Sequence, residues 1–142
     1  MAKDINVLID TSGSMAEDCK NAAVKYLLNT IASYTAVNVK NYYLVGGKCE
    51  KADAIDGLKI AYAGQISVNA VNEYFREVVE GKTLLISDGC FDVDTERAIS
   101  KHRDKVVCVA IGEDAMQSNL QHCSKNNRAY LAEDIIAAMS AC

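Results

Sequence analysis

Hydrophobic residues follow two rhythms along this chain: short apolar runs, and longer stretches where they return at helical spacing. The runs cover Ile5–Asp10, Val37–Val45, Leu58–Tyr62, Thr83–Ser87, Val106–Ile111 and Arg128–Leu131, and predict strands. Several are apolar at consecutive positions, as strands covered on both faces should be. Between the first two, Ala22, Ala23, Tyr26, Leu27, Thr30, Ile31 and Tyr34 mark one face of a helix. Val68, Val71, Phe75, Val78 and Val79 repeat that signal ahead of the fourth run. Further helices are expected over about Asp94–Arg103, around Met116–Cys123, and from Asp134 to the end.

Strands alternating with helices predict an α/β fold: a doubly wound, mostly parallel six-stranded sheet with helices on both faces, in the order 3-2-1-4-5-6. One connection breaks the pattern. Between Val45 and Leu58 stand Gly46, Gly47 and several charged residues, with no helical stripe. A parallel crossover needs about a dozen residues and usually a helix. The third strand is therefore expected to return antiparallel, at a sheet edge.

The 142 residues, half of them hydrophobic, are enough for one domain, 1–142, which buries roughly two-thirds of the surface of its unfolded chain. A net charge of −4 and the lack of a basic block argue against nucleic-acid binding. Lys101, His102, Arg103 and Lys105, interrupted by Asp104, read as a solvated helix end. No apolar stretch approaches the ~20 residues that span a bilayer and no signal region precedes Ile5, so the expected compartment is the cytoplasm. The six cysteines (Cys19, Cys49, Cys90, Cys108, Cys123, Cys142) are widely spaced and expected to be reduced thiols. Nothing in the composition selects an oligomeric state.

Chemistry concentrates where the first strand ends. Asp10, Ser12 and Ser14, within Ile9-Asp10-Thr11-Ser12-Gly13-Ser14-Met15, form a D-x-S-G-S cluster whose oxygen donors suit Mg²⁺, Mn²⁺ or Ca²⁺. A plainer reading competes with this one. Ser14 and Glu17 match the S-x-x-E capping box of a helix start, which would leave Asp10 and Ser12 as turn formers. A second acidic element, Leu84-Leu85-Ile86-Ser87-Asp88-Gly89, repeats the layout of an apolar strand ending in aspartate and glycine, before a helix that Asp92 or Asp94 can cap. In the expected strand order Asp10 and Asp88 meet at the crevice beyond the strand ends. Two carboxylates there repel each other unless a cation or a proton intervenes.

With these two motifs, Val7-Leu8-Ile9-Asp10-Thr11-Ser12-Gly13-Ser14-Met15 and Leu85-Ile86-Ser87-Asp88-Gly89, the chain resembles the von Willebrand factor A (VWA) domain family, including its stand-alone prokaryotic members. The resemblance implies a sheet with one antiparallel edge strand and a metal-ion-dependent adhesion site holding Mg²⁺ or Mn²⁺. By motif, Ser12 and Ser14 would coordinate the ion through their hydroxyls, with Asp10 and Asp88 acting directly or through water. A partner protein's carboxylate would complete the coordination, so the implied function is protein–protein interaction and not catalysis. Relatives often serve assemblies driven by a partner ATPase, and this chain has no G-x-x-x-x-G-K motif of its own.

The middle loop departs from the family. Where relatives place a threonine after paired glycines, this chain has Ala63-Gly64-Gln65-Ile66-Ser67-Val68, leaving Gln65 and Ser67 as additional donors and Ser67 equally as a helix cap. Two other functions compete. Asp10 followed by Asp88-Gly89-Cys90-Phe91-Asp92 resembles haloacid-dehalogenase-like phosphohydrolases, but Ser12 stands where those enzymes need a second aspartate as acid and base. A structural protein with a decayed metal site is the third. Cys19 and Cys90 are expected near the same rim, as partly buried, inert thiols.

Overall fold

A computed structural model of the chain describes residues 2–17, 19–52 and 60–142. Among these, six strands form one sheet: β1 (Lys3–Asp10), β2 (Val37–Val45), β3 (Cys49–Ala52), β4 (Thr83–Ser87), β5 (Val106–Ala110) and β6 (Ala129–Leu131). Their order is β3-β2-β1-β4-β5-β6, and only the β2–β3 pair is antiparallel. The helices are α1 (Lys20–Ser33), α2 (Val68–Glu77), α3 (Val93–Ser100), α4 (Gln117–His122) and α5 (Ile135–Ala141).

Successive side chains of a strand point to opposite faces, and the central strands fill both. Leu8, Leu85 and Cys108 pack with Val71, Tyr74 and Phe75 of α2, Ala98 and Ile99 of α3, and Leu120 of α4. Their neighbours Val7, Ile9, Leu84, Ile86, Val107 and Val109 pack with Val24, Leu27, Leu28 and Ile31 of α1 and with Ile135, Ala138 and Met139 of α5. Each Val, Leu, Ile, Phe or Met among them contributes about 1.5–3 kcal/mol on full burial. This double cover accounts for the continuously apolar runs in β4 and β5, where every residue is buried.

An antiparallel strand lies at the sheet edge as expected, but its position and two expected stripe residues, Tyr26 and Val79, need correction. The antiparallel edge strand is Cys49–Ala52, not Leu58–Tyr62; Leu58 and Lys59 lie outside the described residues, and Ile60–Tyr62 is not strand. Gly46 and Gly47 open a three-residue hairpin loop, with Val45 paired to Cys49 and the Gly46 N–H donating to the Lys48 carbonyl at 3.1 Å. An edge strand faces water and can carry charge, as Glu50 and Lys51 do, so no apolar run announces it. The apolar face of α1 is Val24, Leu27, Leu28 and Ile31, whereas Tyr26 is 66% exposed. Val79 lies beyond α2 and is also exposed.

Candidate functional site

The register that pairs Ile9 with Ile86 carries β1 and β4 side by side to their carboxyl ends, bringing Asp10 beside Ser87 and Asp88. Asp10 is fully buried. Its Oδ1 accepts from the Ser12 N–H at 2.8 Å and its Oδ2 from the Ser87 hydroxyl at 2.6 Å, while Ser87 Oγ accepts from the Gly89 N–H at 3.0 Å. Burial raises the Asp10 carboxyl above its ordinary pKa; the hydrogen bonds from Ser87 and Ser12 oppose that, and the nearby Asp88 charge adds to it.

After Asp10 the chain turns through a single 3₁₀ turn, Gly13–Ala16, before α1 begins at Lys20. No side chain caps either start, so the Ser14–Glu17 capping box does not form. The Ser14 hydroxyl instead lies 3.3 Å from that of Ser12. The Gly13 N–H donates to the Gly64 carbonyl at 2.9 Å and the Ala63 N–H to the Thr11 carbonyl at 3.0 Å, clamping the middle loop over the motif.

The middle loop contributes backbone more than side chains. Ser67 is the cap of α2: its hydroxyl oxygen accepts from the Ala70 N–H at 3.0 Å and its hydroxyl donates to the Gly47 carbonyl at 3.1 Å. Gln65 is solvent-exposed beside Gly64. Asp92, not Asp94, caps α3, accepting from the Thr95 N–H at 2.8 Å.

Asp88 is also fully buried, with Oδ1 accepting from the Cys90 N–H at 3.0 Å. Its Oδ2 meets a residue that periodicity did not single out. Lys20, 3% exposed, places Nζ 3.1 Å from Asp88 Oδ2, 3.0 Å from Asp114 Oδ1 and 3.2 Å from the Ser14 carbonyl oxygen. Burial alone would lower the lysine pKa, but the hydrogen bonds and charges of Asp114 and Asp88 prevail and raise it. Asp114, more than half exposed, is lowered by the Lys20 hydrogen bond. Burial, then the Asp88 charge, raises the Cys90 thiol, which keeps it protonated; Cys19 is exposed.

Two glycines make this packing possible. Gly89 has φ +74°, and a Cβ there would stand 2.6 Å from the Met116 carbonyl oxygen. Gly112 has φ +92°, and its Cβ would stand 2.7 Å from Lys20 Cε. A side chain at either position strains the backbone and collides with a neighbour. A cleft of about 590 Å³, lined by Cys19, Lys20, Ala23, Gly112, Glu113 and Asp114, opens beside the lysine.

Neither a family model nor a curated protein sequence matches the chain. Solved structures do resemble it. Proximal thread matrix protein 1 from the mussel byssus superposes with a TM-score of 0.68 at 17% identity, over 98% of this chain and 44% of that one. An aerotolerance-related membrane protein from Bacteroides fragilis gives 0.70 at 11% identity, over 99% of this chain and 100% of its own. The fold is of the VWA type. Manganese-loaded TRAP protein from Plasmodium vivax gives 0.54 at 15% identity, over 84% of this chain and 61% of that one. The chain spans less than half the length of the mussel protein.

Among the described residues, no group of three or more His, Cys, Asp and Glu side chains is placed to hold a metal. An ion on this VWA fold would therefore depend on the Ser12 and Ser14 hydroxyls together with Asp10 and Asp88. Neighbouring ligands of an octahedral Mg²⁺ at about 2.1 Å stand about 3.0 Å apart. The 3.3 Å hydroxyl pair fits that requirement after a small adjustment. Likewise among the described residues, no helix is long and apolar enough to cross a membrane.

Proposed function

We propose that the protein is a VWA-type interaction module, not an enzyme, that takes Mg²⁺ or Mn²⁺ at its D-x-S-G-S edge and binds an acidic side chain of a protein partner there. The observation that carries this reading is the paired Ser12 and Ser14 hydroxyls in a loop whose flanking strands end in two buried carboxylates. Ser12 and Ser14 would ligate the ion through their hydroxyls, with Asp10 and Asp88 acting directly or through water. Bound there, the ion would supply an open coordination position that a carboxylate can fill. The manganese-loaded neighbour of the same fold supports the choice of ion class.

The chain's own residues do the positioning. Ser87 and the Ser12 N–H fix the Asp10 carboxylate, and the Gly13–Gly64 hydrogen bond holds the serine loop against the middle loop. The same geometry disfavours a phosphohydrolase. Its aspartate nucleophile must reach phosphorus, but Asp10 is fully buried with both oxygens hydrogen-bonded, and Ser12 cannot serve as acid and base.

The test is a Mn²⁺ titration of the metal-stripped protein, read from the loss of the free-ion electron paramagnetic resonance signal. Saturable binding of one ion, abolished in Ser12→Ala/Ser14→Ala, is expected. A wild-type protein that binds no ion, or a double variant that binds equally well, would contradict the reading.

A further inference from the structure

Resting on the metal reading above, we propose that Lys20 is a built-in counter-ion that competes with a divalent cation for Asp88, so that the native protein holds its ion weakly. An ammonium has three donors. Those of Lys20 face three oxygen partners: the Ser14 carbonyl, Asp88 and Asp114. This resembles the oxygen shell of a small cation, and it surrounds a side chain that is almost wholly buried.

Paired carboxylates attract a divalent ion because their repulsion is otherwise unrelieved. Here one of them is already neutralised by an ammonium at 3.1 Å. Ser14 belongs to both arrangements, since its carbonyl holds the ammonium and its hydroxyl faces Ser12. A cation on the two hydroxyls and the ammonium would therefore share one loop, where like charges repel with little screening.

The lysine's place is built into the fold. As the first residue of α1, Lys20 lies at the positive end of the helix dipole, an unfavourable position that Asp88 and Asp114 offset. The absence of a side chain at Gly112 gives its stem room.

Mn²⁺ titrations of the metal-stripped wild type, Lys20→Gln and Lys20→Arg test the proposal. Gln removes the charge and keeps a donor, whereas Arg keeps the charge. Lys20→Gln is expected to lower the Mn²⁺ dissociation constant by at least about tenfold, with Lys20→Arg remaining at the wild-type value. Equal or weaker binding by Lys20→Gln would overturn the role of Lys20 while leaving the metal-binding reading intact. No binding by any of the three would overturn both. Should Lys20→Gln fail to fold without metal, recovery of its near-ultraviolet circular dichroism on adding Mn²⁺ is the expected result. No recovery would overturn the competition.

Discussion

The Lys20 ammonium lies 3.1 Å from Asp88 Oδ2, and both side chains are buried. Sixty-eight positions separate the two residues in the chain, so this contact joins the start of α1 to the end of β4. Removing one partner leaves the other charged and buried.

Lys20→Met is therefore expected to lower unfolding free energy by about 3–5 kcal/mol, measured by urea denaturation. Lys20→Met/Asp88→Asn should be at least about 1 kcal/mol more stable than the sum of the single effects. Asp114→Asn should have a small effect, because that end of the network faces solvent. Additive losses from Lys20→Met and Asp88→Asn would mean the two groups are not coupled.

Gly89→Ala should be costly for a different reason. The new methyl would meet the Met116 carbonyl oxygen at 2.6 Å on a backbone with φ +74°. A loss of about 2–4 kcal/mol is expected, read from the denaturant midpoint. A loss below about 0.5 kcal/mol, the range of ordinary surface changes, would show that the loop relaxes freely.

His102 sets a pH dependence away from the site. Its ring stacks on Phe75 with centroids 3.9 Å apart, and burial, reinforced by the charges of Lys105 and Lys101, lowers its pKa below 6.5. A group with a depressed folded pKa contributes stability that is complete above its unfolded value and lost as pH falls through the folded one. Wild-type stability should therefore fall relative to His102→Phe between about pH 7.5 and about pH 5. Denaturation of both proteins across that range checks it, and a constant difference would contradict the assignment.

Much of the fold was legible because its signal is local. Val37–Val45 and Thr83–Ser87 begin and end in the structure where their apolar runs do, and β1 and β5 differ from theirs only at one end. The existence and direction of the antiparallel edge strand were legible from Gly46, Gly47 and the missing helical stripe, but its position was not, since Cys49–Ala52 is short, half-exposed and charged. Asp10, Ser12, Ser14 and Asp88 stand out as oxygen-bearing residues at strand ends. Lys20 did not, because a lone lysine at a helix start reads as solvated and its partners are remote in sequence. A cation at a helix N-terminus, against the dipole, was the available sign that acidic partners lay nearby.

A divalent ion held at the D-x-S-G-S edge would stabilise the folded protein. Thermal unfolding of the metal-stripped protein, with and without Mn²⁺, tests this most directly when Ser12→Ala/Ser14→Ala is run in parallel. An ion that binds only the folded state, at about ten times its dissociation constant, adds about 1.4 kcal/mol. The wild-type midpoint should then rise by about 4–6 °C, and the double variant should not move. An unchanged wild-type midpoint up to about 10 mM Mn²⁺, well above ordinary ion-site dissociation constants, would contradict the claim, as would an equal rise in both proteins.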